Sequence, residues 1–133
     1  MHAGSAADVT DPVKAYMEAL NASDIEAVLA LFTDDGSLMA NEAPTAVGAA
    51  ELRATFTRFF SMLEFGRQLH VDEAYTEGDL GMVRSHTTGT LTMRATDTRI
   101  EAGSRELFVL RRVGDRWRIR SYMFNAQASA QHG

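Results

Sequence analysis

From position 68 the sequence runs QLHVDEAYT (68–76), GMVRSHTTGTLTM (81–93), RIEAGSRELFVLRR (99–112) and RWRIRSYMFN (116–125). Each segment alternates apolar with polar side chains and is rich in β-branched residues, the period-two mark of a strand with one buried face. Gly78-Asp79 and Gly114-Asp115 supply two-residue hairpin turns, and Thr96-Asp97 supplies a third. Four long strands joined by three tight turns make a meander, and everything upstream must pack against it.

What lies upstream is helical. Asp11 and Pro12 predict an N-cap and a first helical residue, after which Val13, Tyr16, Met17 and Leu20 recur on one face. Ser23 and Glu26 form a capping box for a second helix with the stripe Ile25, Val28, Leu29 and Phe32, ended by Asp34-Asp35-Gly36. A short strand over 37–40 and a loop through Pro44 lead to a third helix over 49–64, whose apolar face is Leu52, Phe56, Phe59, Phe60 and Leu63. Residues 1–10 and 128–133 are small and polar and are expected to be disordered tails, leaving one domain over 11–127. The expected fold is α+β, with three N-terminal helices on one face of an antiparallel sheet.

The chain has 133 residues, 45% apolar and 23% charged, with two prolines and no cysteine. That suffices for one core and excludes whole-chain disorder, a collagen repeat, a disulfide scaffold, a thiolate nucleophile and a zinc knuckle. No apolar run approaches the roughly 20 residues that span a bilayer. The start, MHAGSAADVTD, has neither a basic region nor an apolar core, so the cytoplasm is the expected location, with no membrane partner. Net charge is −5, yet residues 105–120 hold six arginines against Glu106 and Asp115. Without interleaved aromatics this stripe reads as a solvated strand face, and no nucleic-acid partner is expected. Phosphate-cradling loops, a dinucleotide fingerprint and a serine elbow are missing, and His70, Asp72 and Glu106 lack a metal-ligand spacing; no cofactor and no metal are expected.

Residues directly opposite in a hairpin share a face. With the three turns as read, Ala74, Val83, Leu110 and Ile119 form one inward row. The next rows are Asp72, Ser85, Phe108 and Ser121; then His70, Thr87, Glu106 and Met123; then Gln68, Gly89, Ser104 and Asn125. Helices over this face create a cavity with an apolar floor and a polar upper wall, the usual form of a small-molecule site. Its expected lining is Met39, Phe56, Phe60, Ser85, Thr87, Phe108, Ser121, Met123 and Asn125. His70 and Asp72 pair an imidazole with an orienting carboxylate, the pattern of a general base. Glu106, on the inner face of a central strand, is costly there unless paired or protonated, which makes it a candidate proton donor. His86 falls on the outer face, and a single β-bulge would flip part of a strand. The opposite face carries Val71, Tyr75, Met82, Leu107, Val109, Tyr122 and Phe124 among arginines; it is too apolar for water and is expected to form a homodimer.

The stretch VKAYMEALNASDIEAVLALFTDD (13–35) resembles the start of the nuclear transport factor 2-like superfamily, in its ketosteroid isomerase and SnoaL-like polyketide cyclase branches. GDRWRI (114–119) and the terminal FN (124–125) resemble the closing hairpin of small SnoaL-like proteins, so the likeness covers about 11–127. It implies a cone-shaped, cystatin-like fold and cofactor-free acid-base cyclisation, isomerisation or dehydration of a hydrophobic, polyketide-like carbonyl compound. In ketosteroid isomerase a tyrosine and a neutral aspartic acid polarise a carbonyl while a second aspartate moves the proton. By resemblance the tyrosine falls on Tyr16 and the proton-donating carboxyl on Glu106, with an Asp-to-Glu change. The base falls on Ala40, which takes no proton; Glu42 is nearby. On this reading His70, helped by Asp72, abstracts a proton next to a carbonyl, and Tyr16 with Glu106 stabilises the enolate. The alternative is a non-catalytic hydrophobic-ligand-binding or dimerisation protein of the same fold, which the alanine at position 40 favours.

Overall fold

In the computed structural model, which describes residues 5–127, helix α1 spans Ser5–Asn21 and starts a turn and a half before the Asp11-Pro12 signal. Residues 5–10 are therefore helix and not tail; residues 1–4 and 128–133 lie outside the described part. The physical reason is Val9, fully buried four residues before Val13, which extends the stripe Val13, Tyr16, Met17 and Leu20 upstream. Its room comes from Gly81, where a Cβ would sit 2.6 Å from Val9 Cγ2. Pro12 lies inside α1 and gives up one backbone hydrogen bond there.

Helix α2 is short, Ile25–Leu29, and its cap is Asp24, not Ser23: the Asp24 carboxylate accepts from the Ala27 N–H at 3.1 Å. Asp34-Asp35-Gly36 lies within strand β1 (Phe32–Met39) rather than ending a helix. A two-residue β2 (Ala46–Val47) precedes α3 (Gly48–Met62), which buries Leu52, Phe56 and Phe60. The remaining strands are β3 (Leu63–Glu77), β4 (Leu80–Met93), β5 (Thr98–Glu101), β6 (Gly103–Val113) and β7 (Arg116–Gln127).

The sheet order is β2-β1-β7-β6-β4-β3, with β5 on the free edge of β4. Every pair is antiparallel except β1 with β7, so the sheet is mixed. The helices cover its inner face, where Tyr16, Phe56, Phe108 and Tyr122 form an aromatic cluster; Phe108 and Tyr122 stack at 4.2 Å. No helix among the described residues is long and apolar enough to cross a membrane.

The turns at Gly78-Asp79 and Gly114-Asp115 form as read, closing Glu77 on Leu80 and Val113 on Arg116. The third turn takes four residues, 94–97, between Met93 and Thr98. That moves the β4–β6 register by two, so Val83 faces Phe108 and Ser85 faces Glu106. Two bulges have a larger effect. Asp72 is an extra residue between the pairs Val71–Ser85 and Glu73–Arg84, and Arg120 is extra between Leu110–Ile119 and Val109–Ser121. Beyond each bulge the strand presents its other face. Phe65, Arg67, Leu69 and Val71 turn inward on β3, and His70 and Asp72 turn outward. On β7 Tyr122 and Phe124 turn inward, and Ser121, Met123 and Asn125 turn outward. The outer apolar set is therefore Tyr75, Met82, Leu107, Val109 and Met123; Val71, Tyr122 and Phe124 leave it.

Gly89, opposite Arg67, holds φ at +120°, and a Cβ there would meet the Gly66 carbonyl oxygen at 2.2 Å. Gly89→Ala is expected to lower stability by about 2 kcal/mol or more, through strain plus collision. Urea unfolding checks this: an unchanged midpoint contradicts the close packing of β3 on β4.

Candidate active site

Between the helices and the inner face of the sheet lies a cavity of about 270 Å³. Tyr16, Met17 and Leu20 of α1 form one wall, Phe59 of α3 with Leu63, Phe65 and Arg67 of β3 a second, and Glu106, Tyr122 and Phe124 a third. Ala40, Asn41, Thr87, Leu91 and Ser104 complete the polar and apolar rim. Most of this surface is hydrocarbon or aromatic ring, so its few polar groups decide what it does.

Glu106 is 4% exposed, and both oxygens of its carboxyl group accept hydrogen bonds, with one acceptor position on Oε2 left over. Oε1 accepts from Ser85 Oγ and from Thr87 Oγ1, each at 2.8 Å, and Oε2 accepts from Ser104 Oγ. Ser104 also receives Arg67 Nη2 at 3.1 Å, while Arg67 Nη1 donates to the Ala102 carbonyl. The guanidinium thus stands one hydroxyl away from the carboxylate and has no direct ion pair with it. Asn21, at the end of α1, brackets the main chain of Arg67: Nδ2 donates to its carbonyl and Oδ1 accepts its N–H, both at 2.9 Å. Burial pushes the Arg67 guanidinium below its usual range, and the Glu106 charge opposes that shift.

The rings of Tyr16 and Tyr122 meet edge to face at 5.0 Å, so each phenol acts on the ionisation of the other. Burial pushes the Tyr16 phenol well above the ordinary range; the neighbouring Tyr122 hydroxyl pulls it down, and the negative Glu106 pushes it up again. Tyr122 is raised by burial first, then by Tyr16 and Glu106. Two neutral phenols beside a buried carboxylate can polarise a carbonyl oxygen and move a proton on the adjacent carbon.

Of the residues singled out in the sequence, Tyr16, Thr87 and Glu106 line this cavity. Ser85 supports Glu106 from beneath, and Phe56, Phe60 and Phe108 are core residues behind the wall. The bulge at Asp72 takes His70 and Asp72 away from the cavity. There Asp72 pairs with His86 Nδ1 at 2.9 Å, His70 stacks on the His86 ring at 4.8 Å, and His70 Nε2 meets Thr88 Oγ1 at 3.0 Å. The bulge at Arg120 does the same to three others. Ser121 bonds Ser37 at 3.1 Å, Asn125 accepts from Arg105 Nε at 3.2 Å, and Met123 pairs with Met39 on the exposed outer face. Glu42 is also exposed. Among the described residues no three His, Cys, Asp or Glu side chains come together to hold a metal.

Sequence reading missed Asn21, Arg67, Tyr122 and Phe124, and it placed Ser104 on the inner face without giving it a role. A signal existed for most of them. Starting β3 at Leu63 gives Leu63, Phe65, Leu69 and Val71 on one face with Arg67 in line, whereas Ala74 lies on the opposite parity; only an extra residue between reconciles the two. Trp117 and Ile119 against Tyr122 and Phe124 carry the same message on β7.

The phenols give a pH prediction. Because both folded-state values lie above the unfolded value near 10, their contribution to stability is intact below pH 10 and is lost as pH rises above it. Tyrosinate absorbance is expected to show Tyr16 and Tyr122 un-ionised past pH 10 and released only as the fold is lost. Reversible titration of all three tyrosines near pH 10 with the fold intact contradicts the buried pair.

Comparison with known proteins agrees with this geometry. The family model for a SnoaL-like domain matches residues 13–121. A ketosteroid isomerase-like protein from Erwinia carotovora atroseptica is 34% identical, with a TM-score of 0.91 over 96% of this chain and 100% of its own. A protein of the NTF2-like family from Streptomyces avermitilis, 16% identical, shares the fold at a TM-score of 0.80 over 92% and 97% of the two chains. A protein with a cystatin-like fold from Nostoc punctiforme, 20% identical, has a TM-score of 0.75 over 97% of each. No curated protein matches the chain. A helix-covered, bulged sheet closing on a polar-ended cavity and a family match over most of the sequence have one meaning: the chain belongs to the SnoaL-like domain family, within the ketosteroid isomerase-like and NTF2-like group of folds.

Proposed function

We propose that the cavity binds an apolar, polyketide-like carbonyl compound and catalyses cofactor-free proton transfer at the carbon beside the carbonyl, the step common to isomerisation, dehydration and cyclisation. The observation that carries this is a cavity lined together by a buried carboxylate, Glu106, and two buried phenols, Tyr16 and Tyr122, whose rings meet at 5.0 Å. Glu106 accepts the carbon-bound proton, and the phenol pair donates to the carbonyl oxygen as it gains charge. An apolar surround makes that donation stronger than it is in water. Release of the proton to another carbon isomerises the compound; loss of a neighbouring hydroxyl dehydrates it. The likeness to a ketosteroid isomerase-like protein supports the reading. At about 270 Å³ the cavity lies just under the roughly 300–1,000 Å³ of drug-sized sites, so it suits one or two rings.

A second reading, a binding protein without chemistry, is favoured by Ala40, which lines the cavity where the resemblance places the base. One experiment separates the two. Small aromatic ketones are incubated with the protein in D2O, and deuterium gain beside the carbonyl is followed by NMR. The enzyme reading expects acceleration by the wild type and a loss of about 10²–10⁴ in Glu106→Gln, with ketone affinity retained. Binding without exchange would establish the binding protein.

The same reading has the outer face, with Tyr75, Met82, Leu107, Val109 and Met123 among arginines, pair with a second copy of the chain. Sedimentation of the wild type is expected to give a dimer and Leu107→Asp a monomer; a monomeric wild type at micromolar concentration removes this part.

A further inference from the structure

Arg67 stands apart from the other polar groups of the cavity. Its side chain is buried, 8% of the residue being exposed, and the two acceptors that it meets, the Ala102 carbonyl and the Ser104 hydroxyl, are both neutral. No carboxylate among the described residues forms a salt bridge with it. Glu106, the one carboxylate lining the cavity among the described residues, already accepts from Ser85, Thr87 and Ser104. A buried cation whose nearest carboxylate stands beyond a bridging hydroxyl keeps part of its desolvation cost, and that cost falls when a ligand supplies an anion in direct contact.

The placement is also rigid. Asn21 fixes the Arg67 main chain with two hydrogen bonds, and the glycine opposite, Gly89, lets the two strands close tightly there. A guanidinium held from its own backbone loses little freedom on meeting a carboxylate, which it matches with paired N–H donors.

We propose that Arg67 is the specificity-determining residue of the cavity and that the ligand is an apolar ring compound bearing a carboxylate, bound acid end to Arg67 and carbonyl end to the Glu106 and tyrosine wall. This rests on the proposed carbonyl site for the second half of that orientation. Glu106 does not forbid it. A ligand carboxylate in contact with Arg67, on the side away from Ser104, lies closer to the guanidinium than to Glu106, and Coulomb energy falls with distance, so attraction exceeds repulsion. The arrangement gives the substrate one direction of entry, which a purely apolar wall does not.

The test uses two probes of nearly one shape, 4-acetylbenzoate and 4-acetylbenzamide, which differ in charge and share an exchangeable acetyl group. Calorimetric titration at neutral pH is expected to show the acid binding the wild type at least about tenfold more tightly than the amide. Arg67→Met is expected to remove that preference while leaving amide affinity within about threefold, and Arg67→Lys, which keeps the charge without the paired donors, to keep only part of it. Equal affinities in the wild type, or a preference that survives in Arg67→Met, overturn the proposal. If Arg67→Met does not fold, Arg67→Gln, which also removes the charge, takes its place with the same two outcomes: loss of the preference supports the assignment, and its survival overturns it. The same samples in D2O keep the two readings apart. Acetyl exchange without an acid preference defeats only the Arg67 assignment; an acid preference without exchange defeats only the enzyme; no binding of either probe defeats both.

Discussion

An extra residue in an antiparallel strand cannot be absorbed without turning the chain beyond it to the opposite face, and the polar interior of this cone depends on two of them. Asp72 turns Arg67 inward on β3, and Arg120 turns Tyr122 and Phe124 inward on β7. Each bulge is tied to its surroundings by its own side chain. Asp72 accepts from His86 and approaches Arg84, while Arg120 reaches Asp35 through Nε at 3.5 Å and the Asp35 carbonyl through Nη1 at 3.2 Å. Asp35 sits in the irregular stretch of β1 where its pairing with β7 shifts, so the two irregularities fit one another. The bent strands then wrap the sheet around α1 and α3 and leave one end open.

Opening that end to a ligand means burying charge, and the site limits the cost by distributing it. Three hydroxyls converge on the Glu106 carboxylate from β4 and β6, and one of them, Ser104, bridges to Arg67. A network whose members are all satisfied stiffens its surroundings, whereas a half-satisfied one is worse than hydrocarbon. The phenols line the same cavity toward α1 without adding charge, because burial and Glu106 both hold them neutral. The result is a carboxylate fixed in direction, with hydrogen-bond donors close by, within a wall that is otherwise apolar.

Parity explains which parts of this were legible in the sequence. The turn at 94–97 is longer than Thr96-Asp97 implies, but it moves the β4–β6 register by two, an even step that keeps every face. Val83, Thr87, Glu106, Phe108 and Leu110 therefore point inward as read. The bulges are steps of one and reverse the faces beyond them, which is why His70, Asp72, Ser121, Met123 and Asn125 left the interior and Arg67, Tyr122 and Phe124 entered it. The helices were read well where the apolar stripe is long and poorly at their ends. Local cap chemistry placed α1 at Asp11-Pro12, but Val9 fills the space over Gly81, and that tertiary contact outweighs the cap. Asp34-Asp35-Gly36 reads as a stop and serves as a bulge for the same reason: β7 beside it supplies partners that a helix end would lack.

Helix α1 connects stability and site more tightly than any other element. Val9, Val13 and Met17 hold it to the core, and the same helix carries Tyr16 into the cavity and ends in Asn21, which holds Arg67. Tyr16 touches Phe56, Phe108 and Tyr122 at ring distances of 5.0–6.1 Å, so its hydroxyl is placed by packing and not by a flexible loop. A shift of α1 along the sheet would move the phenol and the Arg67 clamp together. Their spacing to Glu106 is therefore set by how the helix seats on β3 and β7, and substitutions that loosen that seat will alter ligand recognition before they unfold the domain.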